Sequence, residues 1–205
     1  MATFDAVTWP VRTERLVLRP AQESDIASLW PIRRREDVAR WLSTLPTSYE
    51  QHLAKHRDPV RLQRTLVAEL DDRIIGDLMV APGDAWTQTE VAERAEGVQA
   101  ELGWCFDPDF GGRGYATEAV DAVIRICFED LGLRRVTAAC FADNEPSWRL
   151  MERVGMRREV HTRQDSLHRS GGWLDGLGYA LLADEWRERQ RLAEESSAPT
   201  VEGGA

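Results

Sequence analysis

Residues 99–131 constrain the chain more than any other stretch. Gln99–Phe106 reads as a strand, and residues 115–131 read as a helix. In the helix Val120, Val123, Ile124, Cys127, Phe128 and Leu131 recur at helical spacing. Between the two lies Asp107-Pro108-Asp109-Phe110-Gly111-Gly112-Arg113-Gly114, with three glycines in its last four positions. Glycine tolerates positive φ, so such a turn can aim several amides at one point beside a helix N-terminus. The helix dipole makes that point attractive to an anion, and Arg113 would add a charge-assisted contact. Taken alone, the glycines also fit a plain strand-to-helix turn. Two familiar phosphate loops fit poorly. Gly112-x-Gly114 is followed by Thr117 where a dinucleotide fingerprint needs glycine or another small residue, and no Gly-Lys-Ser/Thr is present.

The remaining pattern alternates strands and helices. Residues 13–19 predict an opening strand that Pro20 ends, and Ser24-Asp25 offers a cap for a helix carrying Ile26, Leu29 and Trp30. Helical segments follow over 36–42 and 49–56, then two strands over 64–70 and 73–81 around an Asp71-Asp72 turn. Residues 82–97 are polar and acidic and read as a long hairpin excursion. After the central unit come a strand over 134–141 and a short helix opened by Pro146, with Ser147, Leu150, Met151 and Val154 on its inner face. Strands over 157–163 and 173–182 and a polar helix over 184–191 complete the order. This order predicts a mixed α/β sheet with helices on both faces, one domain over 10–192, and flexible tails at 1–9 and 193–205.

Charge and cysteines narrow the setting. A formal net charge of −9 argues against a general nucleic-acid binder, so any phosphate-rich ligand must find its positive potential locally. No apolar run approaches the ~18 residues of a membrane span, and the N-terminus has no secretory pattern. Cys105, Cys127 and Cys140, an odd number in apolar segments, read as reduced thiols. The expectation is a cytoplasmic protein without nucleic-acid or membrane partners.

Gly111-Gly112-Arg113-Gly114-Tyr115-Ala116 resembles the acyl-coenzyme-A pyrophosphate loop of the GNAT family of N-acetyltransferases, Gln/Arg-x-x-Gly-x-Gly/Ala. Asn144-Glu145-Pro146-Ser147 and the segment Met151 through Met156 are similar to that family's Asn-x-x-Ser/Ala…Gly-Phe stretch. Thr13-Glu14-Arg15-Leu16-Val17-Leu18-Arg19 near the start and Tyr179-Ala180-Leu181-Leu182…Glu185-Trp186 near the end resemble the branch that includes the ribosomal-protein N-terminal acetyltransferases. The resemblance spans about residues 10–190. It implies a central, mostly antiparallel sheet of about seven strands flanked by helices on both faces. It also implies acetyl-coenzyme A as cofactor, an amine acceptor (a protein N-terminus or a small molecule), no metal, and a monomer or homodimer. The implied cofactor residues are Trp104, Cys105, Phe106, Gly111, Gly112, Arg113, Gly114, Tyr115, Ala116, Thr117, Asn144 and Ser147. Two positions depart from the pattern. Gly111 stands where Gln or Arg is customary, and Met151 where many members carry a tyrosine general acid; a thioether has no proton to donate.

Transfer from a thioester to an amine requires a neutral amine, support for an oxyanion and protonation of a thiolate. Free α-amines titrate near ~8 and lysines near ~10.4, so a carboxylate must take a proton, directly or through water. Glu101, on the strand entering the turn, is the first candidate, with an exposed bystander as the other reading. A backbone N–H within residues 104–106 would meet the oxyanion. Ser147 or a water would protonate the thiolate, and Ser147 can equally be read as capping the helix below Asn144. Trp41 and Trp148 are possible pocket walls, although core packing suits both. His52 and His56 have the spacing of metal ligands but no partner set, and read as a solvated helix face. Two alternatives stay open: a non-catalytic acyl-coenzyme-A binding module, and an acyltransferase using a larger group such as succinyl.

Overall fold

The computed structural model describes residues 4–45 and 47–197. The opening segment is a hairpin rather than one strand. β1 (Val11–Arg12) and β2 (Val17–Pro20) pair antiparallel, because Thr13 N–H donates to Leu16 C=O and the Thr13 hydroxyl accepts from Leu16 N–H. This extra strand brings the sheet to eight, where about seven were expected. Helices α1 (Ile26–Arg33), α2 (Glu36–Ala39), α3 (Tyr49–His56) and α4 (Pro59–Leu62) follow. They deliver the chain to the hairpin β3 (Thr65–Leu70) and β4 (Arg73–Gly83), turning at Asp71-Asp72, both with positive φ. The excursion after β4 holds only short 3-10 turns over Thr89–Ala95.

β5 (Gln99–Phe106), α5 (Tyr115–Arg125) and β6 (Arg135–Phe141) form the central unit. α5 runs into one π turn over Ile126–Asp130, closed by Leu131 N–H on Ile126 C=O, so the predicted helix over 115–131 is continuous but changes its pitch. α6 (Glu145–Arg153), β7 (Arg157–Leu167), β8 (Trp173–Leu182) and α7 (Ala183–Ser197) complete the order. The sheet runs β1-β2-β3-β4-β5-β6-β8-β7, antiparallel at every pair except β5–β6. Helices cover both faces. α5, α6 and α7 share a core with Leu18, Leu66, Leu78, Leu102 and Val136, whereas α1 packs on β4 and α3.

The expected tails are partly structured. Residues 4–9 carry a 3-10 turn whose Phe4 C=O accepts from the Trp9 indole, and Val7 is buried. Residues 193–197 extend α7, because a run of good helix formers continues past Arg191. Residues 1–3 and 198–205 lie outside the described residues.

Candidate active site

The one parallel pair in the sheet opens the site. β5 and β6 are paired only at Gln99↔Arg135, Ala100↔Val136 and Glu101↔Thr137. Beyond Glu101, β5 follows β4 and β6 follows β8, so the two strands diverge into a wedge. Two hydrogen bonds set the phase of β5. Arg134 N–H donates to Val98 C=O on the β6 side, and Asp107 N–H donates to Ile75 C=O on the β4 side, both at 2.8 Å. Backbone groups alternate sides along a strand, so the even-numbered residues of β5 face β6. Trp104 and Phe106 therefore present N–H and C=O to the wedge. Cys105 does not: its backbone faces β4, its side chain is buried, and burial pushes the thiol pKa up to about 12. Of the three residues predicted to offer an oxyanion donor, two are suitably turned.

The glycine turn faces the mouth of the wedge. Asp107, buried, accepts from Asp109 N–H and from the guanidinium groups of Arg35 and Arg73, which fixes the start of the loop. Gly111 N–H closes a 3-10 turn onto Pro108 C=O, and Glu118 N–H is the first to close onto Gly114 C=O. Among the described residues, the amides of Gly112, Arg113, Gly114, Tyr115, Ala116 and Thr117 have no protein partner. Gly112 (φ 71°) and Gly114 (φ 82°) are left-handed, a conformation that gathers successive N–H groups on one side. The result is an anion cradle built from backbone at the N-terminus of an eleven-residue helix.

Side chains add charge from positions the sequence did not single out. Arg15, read in the sequence as a strand residue, forms a 2.6 Å ion pair with Glu118, donates to Arg113 C=O and lies over the Tyr115 ring at 4.6 Å. On the other flank the Arg153 guanidinium donates to the Thr117 hydroxyl. Arg113 itself is exposed, so its backbone takes part in this corner while its side chain stays in solvent. The long-range pairing of Arg15 with Glu118 crosses 103 residues, which no local pattern reveals.

α6 forms the opposite wall. Asn144 caps it by position, yet its side chain makes no capping bond and lines the cleft. Ser147 is half-buried, lines the same cleft and stands close enough to the Cys140 thiol to influence its titration. Burial pushes the Cys140 pKa up, and the Ser147 contact partly offsets it. Met151, one turn on, is only 1% exposed and belongs to the core. Trp148 also serves packing: its indole donates to Ala142 C=O.

The other face of β5 carries Glu101 and Gly103, opposite Ala81 and Met79 of β4. Glu101 is exposed and lines a cleft of about 1920 Å³ that also contains the cradle and α6. Trp41 lines the same cleft, packed against Phe141 and His168. Further along this face the Arg33–Asp77 ion pair is buried. Burial opposes the Arg33 charge, but the Asp77 carboxylate more than restores it and raises the guanidinium pKa. His52 and His56 are the clearest correction on α3. Both are buried (0% and 5% exposed), not a solvated face, because α3 turns them inward against α1 and stacks their rings 4.1 Å apart. Among the described residues no cluster of three or more His, Cys, Asp or Glu could hold a metal, and no helix is long and apolar enough to cross a membrane.

Comparison with known proteins fits this geometry. The family model described as an acetyltransferase (GNAT) domain matches residues 15–157. The N-acetyltransferase YnaD of Bacillus subtilis is 38% identical over 86 residues, 42% of this chain and 50% of that protein. The chain thus spans about half the length of such curated relatives. A GNAT acetyltransferase structure from Bacillus anthracis superposes with a TM-score of 0.72 at 25% identity, covering 86% of this chain and 99% of that one. RimL, a ribosomal L7/L12 alpha-N-protein acetyltransferase in complex with coenzyme A, shares the fold at a TM-score of 0.69 and 19% identity, covering 84% of this chain and 97% of that one.

Proposed function

The chain belongs to the acetyltransferase (GNAT) domain family, and on that premise we propose that it moves an acetyl group from acetyl-coenzyme A to a primary amine, with the α-amine of a peptide or protein N-terminus as the favoured acceptor. The observation that carries this reading is the alignment of two features. The cradle of six unpartnered amides suits a pyrophosphate, and the β5–β6 wedge suits the extended arm that would connect it to a thioester. The cradle answers the missing Gln/Arg at Gly111 with backbone and with Arg15 and Arg153. The α-amine preference is supported by the RimL relative's named activity and by an opening and a close that resemble that branch.

The chemistry follows from the directions of the groups. Glu101 takes a proton from the incoming ammonium, directly or through water, and the amine nitrogen attacks the thioester carbonyl. The carbonyl oxygen becomes an oxyanion and takes a hydrogen bond from the Trp104 or Phe106 amide, worth about 3 kcal/mol in a dry site. Collapse breaks the C–S bond, and the nitrogen gives up its remaining excess proton to water. The departing thiolate takes a proton from water, directly or relayed through the Ser147 hydroxyl, which regains one from that water. Direct attack needs both substrates bound at once, and the cleft reaches both faces of the wedge.

A product-mass screen tests the proposal. The chain is incubated with acetyl- or succinyl-coenzyme A and a panel of an alanine-leading peptide, polyamines and amine antibiotics. An acetylated peptide is the expected product. Binding of coenzyme A without any product would favour the non-catalytic module, and a succinylated product would replace the acyl group.

A further inference from the structure

The cleft is lined by a buried group with no partner. His56 Nδ1 lies 2.8 Å from His52 C=O, and a carbonyl can only accept, so Nδ1 carries the ring proton. Nε2 is then a lone-pair acceptor. It is buried and unpartnered among the described residues, although His56 lines the cleft. An unmet acceptor in the interior is costly, and native structures leave few of them. Burial also lowers the His56 pKa to about 4, so the ring is neutral and its lone pair available at neutral pH.

Two other groups lining the cleft have the same bias. Thr65 donates its hydroxyl proton to Arg61 C=O and retains only lone pairs, and Glu101 is a carboxylate. Arg33, which also lines the cleft, is occupied by Asp77. Gly103 carries no side chain, and the Met79 methyl lies 3.5 Å from the position its Cβ would take, so the floor here is apolar. Acceptors at His56, Thr65 and Glu101 over an apolar floor match a ligand group that offers donors. We propose that His56 is an acceptor-binding residue, its Nε2 receiving a hydrogen bond from the acceptor amine as that amine lies between Met79 and Glu101. The inference rests on the acetyl-transfer reading and assigns the amine its place.

The test uses the full chain with acetyl-coenzyme A and an alanine-leading tetrapeptide. His56→Phe keeps an aromatic ring without the lone pair and should raise the peptide KM at least tenfold while acetyl-coenzyme A affinity stays within twofold. His56→Gln restores an acceptor oxygen and should recover most of the loss. In the parent protein the ¹⁵N signal of His56 Nε2 should move upfield when peptide is added, and stay in place when only coenzyme A is added. A folded His56→Phe variant with the parental peptide KM, or an Nε2 signal indifferent to peptide in an active parent, would overturn the assignment. So would a signal that already reports a hydrogen bond before peptide is added, since a resident water would then be the partner. A parent that acetylates no amine in the product-mass screen would instead overturn the reading beneath it.

Discussion

The Arg15 guanidinium stands 3.3 Å from the point a Cβ on Gly114 would occupy, so a cation from the opening hairpin closes one side of the turn that begins α5. A side chain on Gly114 would press on that cation and strain a residue at φ 82°. Gly114→Val should weaken coenzyme A binding at least tenfold, about 1.4 kcal/mol, by calorimetry. Gly132→Val provides the control, since Gly132 also has positive φ (62°) but nothing stands within 4 Å of its Cβ position. Equal affinity in folded Gly114→Val and parent would remove the cradle from cofactor binding.

The same corner should respond to acid. Burial favours the neutral form of Glu118, but bonds from the Thr13 hydroxyl and from the Arg15 backbone and guanidinium outweigh it and hold the pKa below the ordinary carboxylate value. A depressed folded pKa stabilises the fold fully above the ordinary carboxylate range, and that contribution is lost as pH falls through the folded value. Glu118→Gln should lower the Tm at pH 7 by roughly 3 °C, about 1 kcal/mol for a chain of this size. The gap between variant and parent should narrow steadily as the melts are repeated in more acid buffers. A constant gap would show that the charge of Glu118 is not what ties the hairpin to α5.

Turnover should depend on Glu101 more than binding does. Glu101→Gln keeps the shape of an exposed side chain on β5 and removes its basicity. Steady-state kinetics should show kcat reduced by about 10²-fold, with acetyl-coenzyme A affinity nearly unchanged and the alkaline rise of the pH–rate profile altered. Parental turnover with a parental profile would leave solvent as the base.

Ser147 and Met151 occupy the same wall at different depths, one half-buried beside the Cys140 thiol and the other 1% exposed in the core. Ser147→Ala should cut turnover by about tenfold to a hundredfold with little change in melting temperature. Met151→Tyr should not supply a better acid. It must fit a larger ring and a hydroxyl into a packed site, which costs about 1–3 kcal/mol and should show as a lower Tm. Full activity in folded Ser147→Ala would leave water to protonate the thiolate.

Much of this arrangement was legible because it is local. The glycines over 111–114, the amphipathic run that became α5, and the short apolar runs of β3, β4, β5 and β8 bounded by turn residues specify elements through φ/ψ preferences and apolar spacing. The opening segment misled because alternation over 13–19 cannot reveal a turn fixed by the Thr13 hydroxyl. His52 and His56 misled for a related reason. Two polar residues four apart look the same on a solvated helix face as on a buried one until the partner helix is in place.

The sequence by itself therefore determined most of the elements and the glycine turn, since these depend on residues adjacent along the chain. Only the tertiary structure decided that β5 and β6 part after Glu101, that Trp104 and Phe106 rather than Cys105 face the wedge, and that Arg15 reaches Glu118 across the fold. Strand register and burial are set by packing between segments far apart in sequence. A side chain's protonation and its available hydrogen bonds follow from that packing.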